Sequence, residues 1–263
     1  MTDTTALRFR KRLLAGDGAP VLGAFIKTPS PHASEIIGSL GYDFVLIDAE
    51  HAPFDRTAIE RTLLGARAVG VAALVRVAET NAPLILAALD DGAAGIVAPH
   101  VDSVEKAREL VAACRYANGR GFSNSPRAGG YGARSMWQHV DTADREVTVI
   151  AMIEDPAAIM RVDEIVNVDG IDAIFIGRGD LAVAMNDRSA GAIDVREATA
   201  KAIDAARRAR KAIFLLPASP EEAAEYHRLG VSGFVVSSDQ GFLRNAASQT
   251  LQAFSAACRS VDQ

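Results

Sequence analysis

The chain is 263 residues long, 49% hydrophobic and 23% charged, with 28 Lys and Arg against 33 Asp and Glu for a formal net charge of −5. That mix belongs to a folded globular protein with enough chain for a large core, and its scattered basic residues exclude a nucleic-acid backbone as partner. Two cysteines, Cys114 and Cys258, are too few for a disulfide framework or a metal cluster and suit packed, reduced thiols in a cytoplasmic setting. The first twenty residues are polar and amphipathic, and no stretch approaches the ~20 apolar residues of a membrane span, so neither an export signal nor a membrane anchor is expected.

In chain order, short apolar runs rich in Val, Ile and Phe alternate with segments of helical period. The runs are VLGAFIK (21–27), FVLIDAEH (44–51), AALVRVAE (72–79), GIVAPHV (95–101), VTVIAMIED (147–155), AIFIGRGD (173–180), IFLLPASP (213–220) and GFVVSSD (233–239). Between them lie patterns such as HASEIIGSLG, DRTAIERTLLGARAVG, SVEKARELVAACRYA and EEAAEYHRLG, several closing on Gly as helix caps do. Strands apolar on both faces and joined by helices predict a parallel sheet covered by helices, and eight such units in about 250 residues predict an α/β protein of the (β/α)₈ barrel (TIM barrel) type. The expected organisation is a single barrel domain over 1–263. An open doubly wound sheet is the alternative.

A barrel places its chemistry where strands run out into βα loops, and the polar residues gather there. Run two ends in Asp48, Glu50 and His51, run three in Arg76 and Glu79, run five in Glu154 and Asp155, run six in Arg178 and Asp180, and run eight in Asp239. A long segment of little period, NGRGFSNSPRAGGYGARSMWQHVDT (118–142), reads as a lid, an interface loop or a plain surface segment. Its Arg120, Arg127 and Arg134 suit an anionic substrate or a neighbouring subunit.

Glu154 and Asp180 close adjacent strands of the proposed barrel, near enough to share one hard cation such as Mg²⁺ or Mn²⁺, whose other positions are left to water and substrate oxygens. Either acid alone reads as a solvated loop carboxylate. Zinc is disfavoured by the lack of an H-x-x-x-H pair and of paired cysteines. His51 is the natural proton-transfer group, with Asp48 three residues earlier placed to orient its ring; His100 is the other rim histidine. Arg76 in an apolar strand calls for an anionic partner, either a substrate carboxylate or enolate oxygen, or an internal pair with Glu79 or Glu50.

The stretches GYDFVLIDAEHAPFD, LVRVAE, MIED and GRGDLA, in this order and spacing, resemble the HpcH/HpaI aldolase family over essentially the whole chain. The resemblance implies a barrel of the phosphoenolpyruvate/pyruvate type and a class II, divalent-metal enzyme (Mg²⁺ or Mn²⁺, or Co²⁺) that forms a pyruvate enolate and adds it reversibly to an aldehyde. It implies Glu154 and Asp180 as metal ligands and His51 with Asp48 as the acid/base pair. Arg76 is implied at the pyruvate carbonyl, and the backbone around Gly179 and Asp180 at the carboxylate. Asp90, in ALDDG, matches an acid that supports the histidine of a neighbouring subunit, and the family forms hexamers, often with exchanged C-terminal helices. Two positions depart from the family pattern. Met152 replaces a Gln two residues before the metal Glu, and Arg178 replaces a Pro after the first glycine of the GRGD run. The departures leave open an oxaloacetate decarboxylase, a citrate-forming enzyme or acyl-CoA lyase using the same enolate chemistry, or a non-catalytic metal-binding barrel. An added positive charge at Arg178 would suit a dicarboxylate.

Overall fold

The computed structural model describes residues 3–16, 18–186 and 193–259. Eight strands, β1 (Val21–Ile26), β2 (Phe44–Asp48), β3 (Ala72–Arg76), β4 (Gly95–Ala98), β5 (Thr148–Ile153), β6 (Ala173–Ile176), β7 (Ala212–Leu215) and β8 (Gly233–Ser238), pair in sequence order and close into a barrel. Every pairing is parallel, including β8 back onto β1. The open doubly wound sheet is thereby excluded. Each strand ends before its run does, and β5, β6 and β8 stop directly before Glu154, Gly177 and Asp239. In β2 the cause is visible: the Asp48 carboxylate accepts from the backbone N–H of Glu50 (3.3 Å) and His51 (3.1 Å), a side-chain turn that competes with further strand pairing.

Because alternate residues face opposite sides of a strand, the apolar runs fill two cores. One lies between strands and helices and is built from Val, Ile, Leu and Ala. The other fills the barrel with Phe25, Phe44, Leu46, Leu74, Phe175 and Phe214 among others. Phe44 and Phe214 meet edge to face at 5.5 Å, and Gly23 is needed beside them, since a Cβ there would lie 2.4 Å from the Phe44 ring. The first helix, Thr5–Ala15, plugs the barrel's N-terminal end with Phe9 and Leu13, Phe9 resting 5.5 Å from Phe44.

Parallel strands sort the loops: those leading from strand to helix lie at one end, those from helix to strand at the other. The 118–142 segment follows helix Val104–Cys114 and precedes β5, so it belongs to the N-terminal end, opposite its own βα loops. It is no lid over its own rim. It also holds more structure than its sequence suggested, with short 3₁₀ turns at Tyr116–Asn118 and Arg127–Gly129 and a helix from Met136 to Glu146. Arg120 pairs with Asp90 at 2.8 Å, and Arg127 pairs with Glu60 and donates to the Asp91 carbonyl.

Cys114 is buried, and burial pushes its thiol up to about 12; Cys258 is exposed on the last helix, against the expectation that both pack. That helix, Asp239–Arg259, buries none of its 21 residues and holds Leu243, Leu251 and Phe254 out to solvent at 71%, 69% and 71% exposure. No helix among the described residues is long and apolar enough to cross a membrane.

Candidate active site

The rim at the C-terminal ends of the strands is organised by one buried carboxylate. Asp48 and Arg76 are register partners at the ends of β2 and β3, so their side chains emerge side by side. Asp48 is fully buried. It takes Arg76 through Nε at 3.0 Å and Nη2 at 2.8 Å, and Lys27 through Nζ at 3.0 Å. Burial works to raise its pKa, but Arg76, the His51 N–H and Lys27 outweigh it and hold the group down at about 2. Arg76 also reaches Glu50 at 3.2 Å, and its guanidinium stacks over the Phe25 ring at 4.9 Å. Of the two internal partners considered for Arg76, Glu50 is the one that meets it, while Asp48 takes most of its charge.

The second cluster has the opposite electrostatics. Glu154, immediately after β5, is 2% exposed and its pKa is raised to about 7. Burial is the main cause, with the charges of Asp180 and Glu50 adding to it, and the His100 N–H and ring opposing. His100 stands in the turn after β4 with φ at +53°, a left-handed conformation that costs free energy for a side chain of this size. Its backbone N–H donates to Glu154 Oε1 at 2.8 Å, and its Nδ1 lies 3.0 Å from Asp155 Oδ2. One ligand atom each from Glu50, His100 and Glu154 lie within 4.8 Å of one another. Asp180, on the first turn of helix Arg178–Ala184, is exposed and near enough for its charge to bear on Glu154.

Gly177 makes this crowding possible, because any Cβ there would lie 2.6 Å from Glu154 Cβ and 2.7 Å from its Oε2. Next to it opens a cavity of about 690 Å³ lined by Phe25, Arg76, Met152, Phe175, Gly179 and Asp180. Arg178 also touches this cavity but its guanidinium is spent on its own support: Glu222 at 2.7 and 2.9 Å, the Tyr226 hydroxyl at 3.1 Å and the Leu216 carbonyl at 2.9 Å. The extra charge expected at the rim is neutralised by Glu222.

Other sequence-predicted residues fall differently. His51 is exposed at the rim; its ring lies 3.7 Å from Glu50, while its backbone, not its imidazole, contacts Asp48. Asp90 ends helix Ala82–Asp90 on the far face with Arg120, away from its own chain's His51. Three rim contributors carry no assigned part in the chemistry in the sequence: Glu50 reads there as a strand-end acid and a candidate partner of Arg76, His100, in APH, as the other rim histidine, and Lys27 as the last residue of the first run. Their signal was position alone, each falling at or just past the end of an apolar run.

An acid-rich cluster with an imidazole, beside a buried arginine on a barrel rim, can hold a cation and steady a negative charge. Comparison with known proteins gives the family. The sequence profile of the HpcH/HpaI aldolase/citrate lyase family matches residues 22–246, from β1 into the last helix. The chain belongs to that family. Among its HpcH/HpaI relatives, a hydroxypyruvate/pyruvate aldolase of Delftia acidovorans is 33% identical over 237 residues, covering 87% of this chain and 86% of the relative. A 2-dehydro-3,6-dideoxy-6-sulfogluconate aldolase of Pseudomonas putida is 30% identical over 92% of this chain and 94% of the relative. Among solved structures, an HpcH/HpaI aldolase/citrate lyase family protein from Burkholderia cenocepacia J2315 superposes with a TM-score of 0.88 at 28% identity, covering 94% of this chain and 98% of the other. The citrate synthase SbnG superposes at 0.84, also 28% identical, over 97% and 98%.

Proposed function

We propose that this member of the aldolase family is a class II enzyme that uses a divalent metal ion, Mg²⁺, Mn²⁺ or Co²⁺, to form a pyruvate enolate and add it reversibly to an aldehyde. The observation that carries the reading is Glu154: a buried carboxylate beside two other acids, pushed up to about 7, is the local charge excess that a bound dication relieves. The donor set fits such an ion, and Glu154 with Asp180 would hold it. When bound, it supplies Lewis-acid polarisation of the substrate's 2-oxo group.

The protein's own groups do the rest. The Gly179 backbone offers open space, with nothing within 4 Å of where a Cβ would stand, so a substrate carboxylate can approach the main chain there. Arg76, locked by Asp48, Glu50 and the Phe25 ring, lines the cavity and would offer an oriented guanidinium N–H to the 2-oxo oxygen as it turns into an enolate. In the cleavage direction, His51 accepts the proton of the 4-hydroxyl, the C3–C4 bond breaks, its electron pair moves to the 2-oxo oxygen, and the enolate takes a proton at C3 to give pyruvate. Lys27 is held as an ammonium partner of Asp48 and is not needed as a Schiff-base amine.

Arg178 bears on the rival substrates. Its neutralisation by Glu222 removes the free charge that favoured oxaloacetate or a citrate-forming condensation. The exposed apolar residues of the last helix and the placement of Asp90 on the far face support a homo-oligomer, read as a hexamer, in which Asp90 serves a neighbour's His51.

Proton exchange tests the half-reaction without an acceptor. The methyl protons of pyruvate in D₂O should disappear from the NMR spectrum only when protein and Mn²⁺ or Mg²⁺ are both present. Exchange that survives exhaustive chelation, or a borohydride-trapped pyruvate on Lys27, would overturn the class II assignment.

A further inference from the structure

We infer that Met152 decides which 2-oxo acid this site enolises. The apolar floor it forms with Phe25 and Phe175 accepts a hydrogen or a methyl group on C3 and rejects a hydroxyl, so pyruvate and 2-oxobutanoate are taken in preference to hydroxypyruvate. The inference rests on the enolate reading above and adds the residue that discriminates among the acids able to give the enolate.

Its ground is position. Met152 lies near the end of β5, two residues before Glu154, and alternate residues of a strand share a face. The thioether therefore occupies the rung below the raised carboxylate. It is buried in the barrel interior yet lines the cavity of about 690 Å³ beside the acids. Phe175 is its register partner on β6, and the Phe175 ring stands 6.4 Å from that of Phe25. Arg76 stacks over Phe25 at 4.9 Å. One apolar surface thus runs under the site from the guanidinium to the strand that carries Glu154.

The polar groups at this end of the cavity are already committed. In the mechanism above, Asp180 serves the ion, the Gly179 main chain the substrate carboxylate, Arg76 the 2-oxo oxygen and His51 the 4-hydroxyl. Arg178 is held by Glu222, the Tyr226 hydroxyl and the Leu216 carbonyl. What remains to meet C3 is the floor. Phenylalanine offers no hydrogen bond and methionine only a weak sulfur acceptor. A hydroxyl laid on that surface leaves water and gains no partner, which disfavours it by about tenfold to a hundredfold. A methyl group gains by the same transfer.

Met152→Gln is the discriminating variant, because glutamine matches methionine in length and lack of branching and adds an amide that can pair with a hydroxyl. Met152→Leu keeps the floor apolar. Calorimetry on the Mn²⁺-loaded protein gives affinities for pyruvate, 2-oxobutanoate and hydroxypyruvate, and loss of C3 protons in D₂O above the protein-free rate gives kcat/KM for each. The unaltered chain and Met152→Leu should place hydroxypyruvate last in both measures, about tenfold or more below pyruvate, and Met152→Gln should raise it relative to pyruvate by about tenfold. Hydroxypyruvate taken by the unaltered chain as well as pyruvate, a test that stands even where Met152→Gln does not fold, would overturn the role of Met152. So would a ratio that a folded Met152→Gln leaves unmoved; either result would leave an enolate-forming enzyme. Exchange from none of the three acids would instead sink the enolate reading, and the inference with it.

Discussion

Gly177 is the position where one added methyl group should separate metal binding from folding. Its φ of −84° and ψ of 77° are open to alanine, so Gly177→Ala meets no backbone penalty and acts through space alone. The new Cβ would stand 2.6 Å from Glu154 Cβ and 2.7 Å from Oε2, against an ordinary contact of about 3.5–4.0 Å. Glu154 must therefore move by about 1 Å. A misplacement of that size in a reacting constellation costs on the order of 10²-fold in rate, while overpacking of this kind costs about 1–3 kcal/mol of stability. The expectation is a folded protein, melting a few degrees lower, whose Mn²⁺ affinity and pyruvate proton exchange both collapse. Gly179→Ala is the internal control, because nothing lies within 4 Å of its Cβ. It should keep its melting temperature and its Mn²⁺ affinity and lose only pyruvate affinity, seen as a raised KM. Calorimetric Mn²⁺ titration, thermal melts and exchange kinetics on both variants decide the matter. Gly177→Ala with metal affinity within about twofold of the unaltered chain, or Gly179→Ala losing metal equally, would refute the assignment of Glu154.

Two further outcomes are expected. Asp48 has a folded pKa of about 2 against 3.8 for the free group, so its pairing stabilises the fold at every pH above about 4, and that contribution, about 2 kcal/mol, is lost as pH falls toward 2. Urea unfolding between pH 5 and pH 2 should show the loss, and Asp48→Asn should remove this part of the pH dependence while destabilising the protein at pH 7, because Arg76 and Lys27 lose their counter-charge; an unchanged acid limb in the variant would contradict the assignment. For Asp90, light scattering should report a homo-oligomer, and mixed oligomers of Asp90→Asn and His51→Ala subunits should regain turnover that neither parent has; a failure to regain it would exclude supply of Asp90 to a neighbour.

The barrel was legible because its signal is repetitive and local. Eight apolar runs of strand length, each followed by a helical pattern, leave few alternatives, and right-handed parallel crossovers turn that order into ring order. The rim was legible in outline for the same reason: charges such as Asp48, Arg76 and Glu154 sit where a run ends, and barrels put strand ends on one face. What sequence could not supply was the pairing among those charges. Asp48 was read as the partner of the His51 ring, three residues away, yet its carboxylate goes to Arg76 and Lys27, which arrive from neighbouring strands. Arg178 reads in the sequence as an added rim charge, and only the fold sets Glu222, 44 residues later, against it. His100 and Glu50 meet Glu154 only through the turns after β4 and β2. The length of the 118–142 segment does not say which end it occupies; its order, helix before and strand after, puts it opposite the βα loops and leaves an interface or surface role.

The amino-acid order by itself determined the barrel, the rim and the residue types available for chemistry, since periodicity and strand-end position are properties of neighbours along the chain. Only the tertiary structure decided which carboxylate is neutralised by arginine and which is left crowded and raised toward neutrality. That choice depends on burial and on charges a few ångströms apart in space, brought together from strands tens of residues apart, and Coulomb energy in a dry interior is set by those distances and by the water they exclude.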